Sequence, residues 1–125
     1  MYTHFKEIND LINSSDKIII TTHVVPDGDA IGSVIALSEY LKLKGKNPVI
    51  INHSETPYNL KFLDKNKSIR VFNKNADENT ALIESAEIIF IVDTNDYSRT
   101  RSLEPLIKKS PSKKICIDHH MGTRL

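Results

Sequence analysis

Residues 17–45 read KIIITTHVVPDGDAIGSVIALSEYLKLKG. The run Lys17–Thr22 is β-branched and apolar without alternation, which predicts a strand buried on both faces. HVVPDG breaks it with a proline and a glycine. From Asp29 onward, Ile31, Val34, Ile35, Ser38 and Leu41 fall at helical spacing, and Gly45 marks a C-terminal stop. A doubly buried strand, a polar loop and an amphipathic helix make the first half of a βαβ unit. Residues 87–94, EIIFIVDT, give a second strand of the same kind.

Working outward, Phe5, Ile8, Leu11 and Ile12 share one face of a helix over residues 2–14. Strands are expected at Pro48–Asn52, Ile69–Phe72 and Lys113–Ile117. Helices are expected at Glu78–Ser85 and at Ser102–Lys109, the latter ended by Pro111, with one helical turn at Asn59–Leu63. Strands alternate with helices, so the fold class is α/β, a mostly parallel Rossmann-like sheet with helices on both faces. No repeat, low-complexity tract or linker divides the 125 residues, a length that suits one domain.

Composition excludes several classes. At 39% hydrophobic and 26% charged the chain is an ordinary globular sequence. A net charge of +1 argues against bulk binding to long duplex DNA or to a membrane surface. Its apolar runs are too short to span a bilayer, and the N-terminus lacks the apolar core of a signal peptide. One cysteine, Cys116, precludes an internal disulfide and suits the cytoplasm. Its apolar strand predicts a buried, inert thiol. No G-x-G-x-x-G follows the first strand and no P-loop or G-x-S-x-G elbow is present.

Ligands of open parallel sheets bind beyond the carboxyl ends of the strands. Three apolar strands here end in polar clusters: Thr21-Thr22-His23, Asp93-Thr94-Asn95-Asp96 and Asp118-His119-His120. All three are expected on one rim. Taken singly each has a bland explanation. Asp29 suits a helix N-cap, Asp27 a solvated turn, Arg99 a solvated loop charge, and His23 a hydrogen-bonded strand end. Together, imidazoles and carboxylates suit a divalent ion such as Mn²⁺, Fe²⁺ or Co²⁺, and bound cations remove the repulsion among Asp27, Asp29, Asp93 and Asp118.

The segments HVVPDGDAIGS, IVDTND and IDHH, taken in order, resemble the first three motifs of the DHH phosphoesterase superfamily, and they span residues 23–120. DGDAIGS followed by DTNDYSRT is most similar to the branch of oligoribonucleases and 3′-phosphoadenosine 5′-phosphate phosphatases. The resemblance implies two divalent metal ions, Mn²⁺ first among them. His23 and Asp27 would hold one, Asp29 and His119 the other, with Asp93 between them. Asp118 would orient a ligand or the nucleophile, and His120 would contact the scissile phosphate, with Arg99 reaching a phosphate as well. It implies hydrolysis of a small nucleotide or short oligonucleotide by a metal-activated water. Other DHH hydrolases (cyclic-dinucleotide phosphodiesterase, RecJ-type exonuclease, inorganic pyrophosphatase) and a non-catalytic metal- or nucleotide-binding remnant are the alternatives.

Two departures from the family pattern carry expectations. Val25 stands where many relatives have asparagine. The chain also ends at Leu125, before a further ligating aspartate and a C-terminal substrate-binding domain, so residues 1–125 are expected to form a C-terminally truncated catalytic domain with impaired activity. Apolar helix faces around Ala36 and Leu103 are expected to be exposed and to favour self-association.

Overall fold

The computed structural model describes residues 2–118. Five strands, β1 (Ile18–Thr22), β2 (Val49–Asn52), β3 (Ile69–Val71), β4 (Ile88–Val92) and β5 (Lys113–Ile117), form one sheet in the order β3-β2-β1-β4-β5. Every pair is parallel. The helices are α1 (Tyr2–Ser14), α2 (Gly28–Leu43), α3 (Ala76–Glu84) and α4 (Glu104–Lys109), with 3-10 segments at Tyr58–Leu63, Phe72–Asn75 and Tyr97–Leu103.

Strand alternation sorts the core into two layers. Ile18, Ile20, Ile50, Ile88 and Phe90 pack with Ile12 of α1 and with Val34 and Leu41 of α2. Ile19, Ile51, Ile89 and Ile91 pack with Ile83 of α3 and with Leu103 and Ile107 on the other face. Right-handed crossovers force this division. The chain first steps from β1 to β2 and β3, then returns past β1 to β4, so its later helices land on the opposite face. β1 and β4 are buried along their whole length. That explains why their sequences are continuous rather than alternating.

α2 is fixed at both ends. The Asp27 carboxylate accepts from the Ala30 amide at 2.9 Å and so caps the helix. The cap is Asp27, not Asp29, which lies in the first turn. At the far end Gly45 adopts φ 82°. The Gly45 and Lys46 amides donate to Lys42 and Leu41 carbonyls at 2.9 and 3.0 Å, a Schellman closure that needs the left-handed glycine.

Three expectations fail, each for a tertiary reason. The helix expected at Ser102–Lys109 begins at Glu104, because Pro105 belongs in a first turn where its missing N–H costs nothing; Ser102 instead belongs to the 3-10 segment Tyr97–Leu103. Cys116 is exposed rather than buried, because β5 is the outermost described strand and its burial is partial throughout. Leu103 is fully buried, between the sheet, α3 and α4, so it offers no surface for self-association, although Ala36 is exposed. Among the described residues no helix is long and apolar enough to cross a membrane.

Candidate metal centre

The strand order changes direction between β1 and β4, which leaves a crevice at their carboxyl ends. In register, Thr22 lies opposite Val92, and Val92 opposite Ile117. The next residues are His23, Asp93 and Asp118. The three polar clusters therefore do meet on one rim, as far as they are described. The Asp93 amide donates to the Ile117 carbonyl at 2.7 Å, which holds the ends of β4 and β5 together just before Asp118.

His23, Asp27 and Asp93 each offer a ligand atom, and the three atoms lie within 4.8 Å of one another. His23 and Asp93 are 6% and 2% exposed; Asp27 is exposed at the helix cap. Local backbone aims these groups. Asp93 adopts φ 66°, a left-handed turn that aspartate tolerates better than most residues and that stops the strand at the rim. The cap bond to Ala30 occupies one Asp27 oxygen and fixes the carboxylate, leaving its second oxygen for a cation.

The histidine supplies the test of fit. Its Nδ1 lies 2.9 Å from the Val24 carbonyl. A carbonyl can only accept, so Nδ1 carries the hydrogen. Nε2 then faces Asp93 Oδ2 at 3.3 Å. Two lone pairs cannot oppose each other at that distance without repulsion. A proton on Nε2, or a cation bound by both groups, resolves it. The backbone carbonyl thus presents the ring with the nitrogen that a metal needs, the usual way a ligating histidine is oriented.

Three further contacts hold the loop that carries His23 and Asp27. The Val24 amide donates to the Arg99 carbonyl at 2.7 Å. The Val25 amide donates to Ser54 Oγ at 3.0 Å. Thr22 Oγ1 donates to the Val92 carbonyl at 2.6 Å. Val25 itself adopts φ 48° with its side chain 74% exposed. A β-branched residue is costly in that conformation, and asparagine is one of the few that enter it readily.

The remaining expected residues divide as follows. Asp29 is exposed in the first turn of α2 and lies outside the three-residue group. Arg99 is exposed, and its described contribution to the rim is its carbonyl. Asp118 is half-buried beside Asp93. His119 and His120 lie outside the described residues. Thr94 and Asp96 turn out to shape the turn. Thr94 Oγ1 accepts the Asp96 amide at 3.1 Å, and the Asp96 carboxylate accepts the Ser98 hydroxyl and amide at 2.7 and 3.0 Å. Those bonds hold the Asp96 carboxyl below its usual range.

Chain comparisons fit this geometry. The model of the DHH family, N-terminal domain, matches residues 17–125. The chain belongs to the DHH family. A solved DHH-like neighbour is the exopolyphosphatase-related protein from Bacteroides fragilis, 32% identical, with a TM-score of 0.91 over 97% of this chain and 36% of that one. The chain thus spans about a third of that protein's length. No curated protein matches it.

In this DHH chain, sequence reading missed His53 and Asn52. His53 Nδ1 lies 2.8 Å from Ser102 Oγ, tying the end of β2 to the segment after β4. Asn52 is fully buried at the end of β2. No motif flags either residue, because neither stands in a cluster of ligand types. A small pocket lined by Thr56, Lys61, Asp64, Ile69 and Val71 lies at the β2–β3 end and includes none of the metal group.

Proposed function

We propose that this chain carries the metal-binding part of a DHH phosphohydrolase, acting on short oligoribonucleotides or 3′-phosphoadenosine 5′-phosphate. The observation that carries it is the convergence of His23, Asp27 and Asp93 within 4.8 Å at the sheet's switch point. The ligand set of one imidazole and two carboxylates suits Mn²⁺. A second ion is proposed between Asp93, Asp29 and His119.

When bound, divalent cations supply a lowered pKa for water and charge neutralisation for phosphoryl oxygens. The residues supply the rest. The Val24 carbonyl holds Nδ1–H of His23 and so keeps Nε2 as the ligand atom. The Ala30 amide holds the Asp27 carboxylate at the helix N-terminus, where the helix dipole adds favourable field for anionic substrate. Asp93, buried at the end of β4, has little solvent to compete for its charge. Asp118 orients the attacking water or a ligand from its place beside Asp93. His120 and Arg99 bind the phosphoryl oxygens, which positions phosphorus for in-line attack. The single cysteine supports a cytoplasmic setting.

A second substrate class, inorganic polyphosphate, has the description of the Bacteroides fragilis relative in its favour. Mn²⁺-dependent release of phosphate or nucleotide should be measured side by side on a short RNA, 3′-phosphoadenosine 5′-phosphate, pyrophosphate and polyphosphate. Calorimetric titration with Mn²⁺ accompanies it, with His23→Ala as the control. Saturable binding in the wild type that the control lacks is the expected result. Equal binding by both removes the metal centre and the proposed chemistry with it.

A further inference from the structure

Two asparagines are fully buried in this fold, and they differ in one respect. The Asn79 amide donates to the Val71 and Phe72 carbonyls and its oxygen accepts from Arg70. The Asn52 amide has no hydrogen-bond partner on either its nitrogen or its oxygen among the described residues. A buried amide with both ends unmet is costly, and such a group in a native fold calls for a partner outside the described residues, such as water, ion or ligand.

The position of Asn52 indicates which. β1 and β2 pair with Ile20 opposite Ile50. Two residues on, Asn52 falls beside Thr22, the residue before His23. Alternation puts its side chain on the face of Ile50, which is the face covered by α2. The loop from Val24 to Asp27 is pinned through the Val25 amide to Ser54, two residues after Asn52. The 3-10 segment Tyr58–Leu63 lies against the start of α2, with Leu60 3.9 Å from where a Cβ on Gly28 would stand. Asn52 therefore lies buried at the carboxyl end of β2, one strand over from the end of β1 where the His23–Asp27 loop begins.

We propose that Asn52 is a positioning residue of the metal centre: in the loaded site its amide binds a water enclosed behind the Val24–Asp27 loop, and so holds His23 and Asp27 in ligating geometry. The inference rests on the metal reading above. A buried amide that the described residues leave unmet lowers the stability of the fold, a cost that a site residue can carry.

Asn52→Leu tests this, because leucine keeps the branched shape and removes both polar atoms. Without metal, the leucine variant should melt higher than wild type, by roughly 3–6 °C. Its Mn²⁺ affinity by calorimetry should fall about tenfold or more, the usual effect of losing a partner behind a ligand. A structural role would instead lower the metal-free melting temperature; that result, or Mn²⁺ affinity within about twofold of wild type, overturns the proposal. Should the leucine variant be insoluble, the Mn²⁺ affinity of Asn52→Ala decides by the same threshold. If wild type and His23→Ala bind Mn²⁺ equally, the metal reading falls and this inference with it, and that failure is visible without any Asn52 variant.

Discussion

β4 and β5 are parallel neighbours in full register, and each is followed by an aspartate. Their environments nevertheless differ. Every residue of β4 is buried, while β5 is exposed or half-buried along its length. β4 has a strand on each side and helices on each face; β5 has only β4 beside it among the described strands. The difference teaches that a strand's position in the sheet, more than its apolar content, sets how strongly its end can fix a charged side chain. Asp93 is held nearly without solvent, whereas Asp118 is half-buried.

The largest contrast should appear in stability. Phe90→Ala in β4 should cost about 3–5 kcal/mol by leaving a cavity in a fully buried layer. Ile117→Ala at the exposed end of β5 should cost about 1 kcal/mol or less. Chemical denaturation of the two variants checks this, and similar midpoints would erase the distinction between the strands.

The second contrast concerns the two aspartates. Asp93→Asn should lower Mn²⁺ affinity about a hundredfold, or about 2.7 kcal/mol, because it removes a buried ligand charge facing His23. Asp118→Asn should lower it only about tenfold. Calorimetry that ranks them the other way would move the centre of the site toward β5.

A smaller effect is expected in the loop that follows His23. Val25→Asn should raise stability by about 1 kcal/mol, because asparagine relieves the left-handed strain at φ 48°. The melting temperature reads it, and a decrease would mean that the exposed valine side chain packs against something.

The smallest effect sharpens the view of β5. Desolvation pushes the Cys116 thiol up, a hydrogen bond with Tyr97 works against this, and the Asp118 charge adds to it. A raised thiol is less ionised at neutral pH, so alkylation by iodoacetamide should be slower than for an unfolded control and should accelerate only above the ordinary thiol range. A pH profile matching the control would show that β5 provides no desolvation at this position.

Much of the fold was legible in the sequence. Uninterrupted runs of β-branched and aromatic residues such as Ile18–Thr22 and Ile88–Val92 are explained by burial on both faces, and polar residues at their ends mark the rim because parallel strands share one carboxyl edge. That Asp27 and Asp93 come together with His23 was legible for the same reason. The capping role of Asp27 was not, since Asp27 and Asp29 flank one glycine and both suit a helix start. The exposure of Cys116 and the burial of Leu103 were not legible either, because an apolar letter does not say whether its strand is central or outermost.

The sequence by itself determined the layered class, the order of its elements and the residue types that gather at the strand ends, because periodicity and side-chain chemistry are local. Only the tertiary structure decided that β1 and β4 lie side by side, that Nε2 rather than Nδ1 of His23 faces Asp93, and that Asn52 is buried with no side-chain partner among the described residues. Those outcomes depend on which strands pair and on what stands beside the ring: the Val24 carbonyl is local, but the strand pairings and the Asp93 carboxylate come from residues some 30 to 70 positions away in the chain.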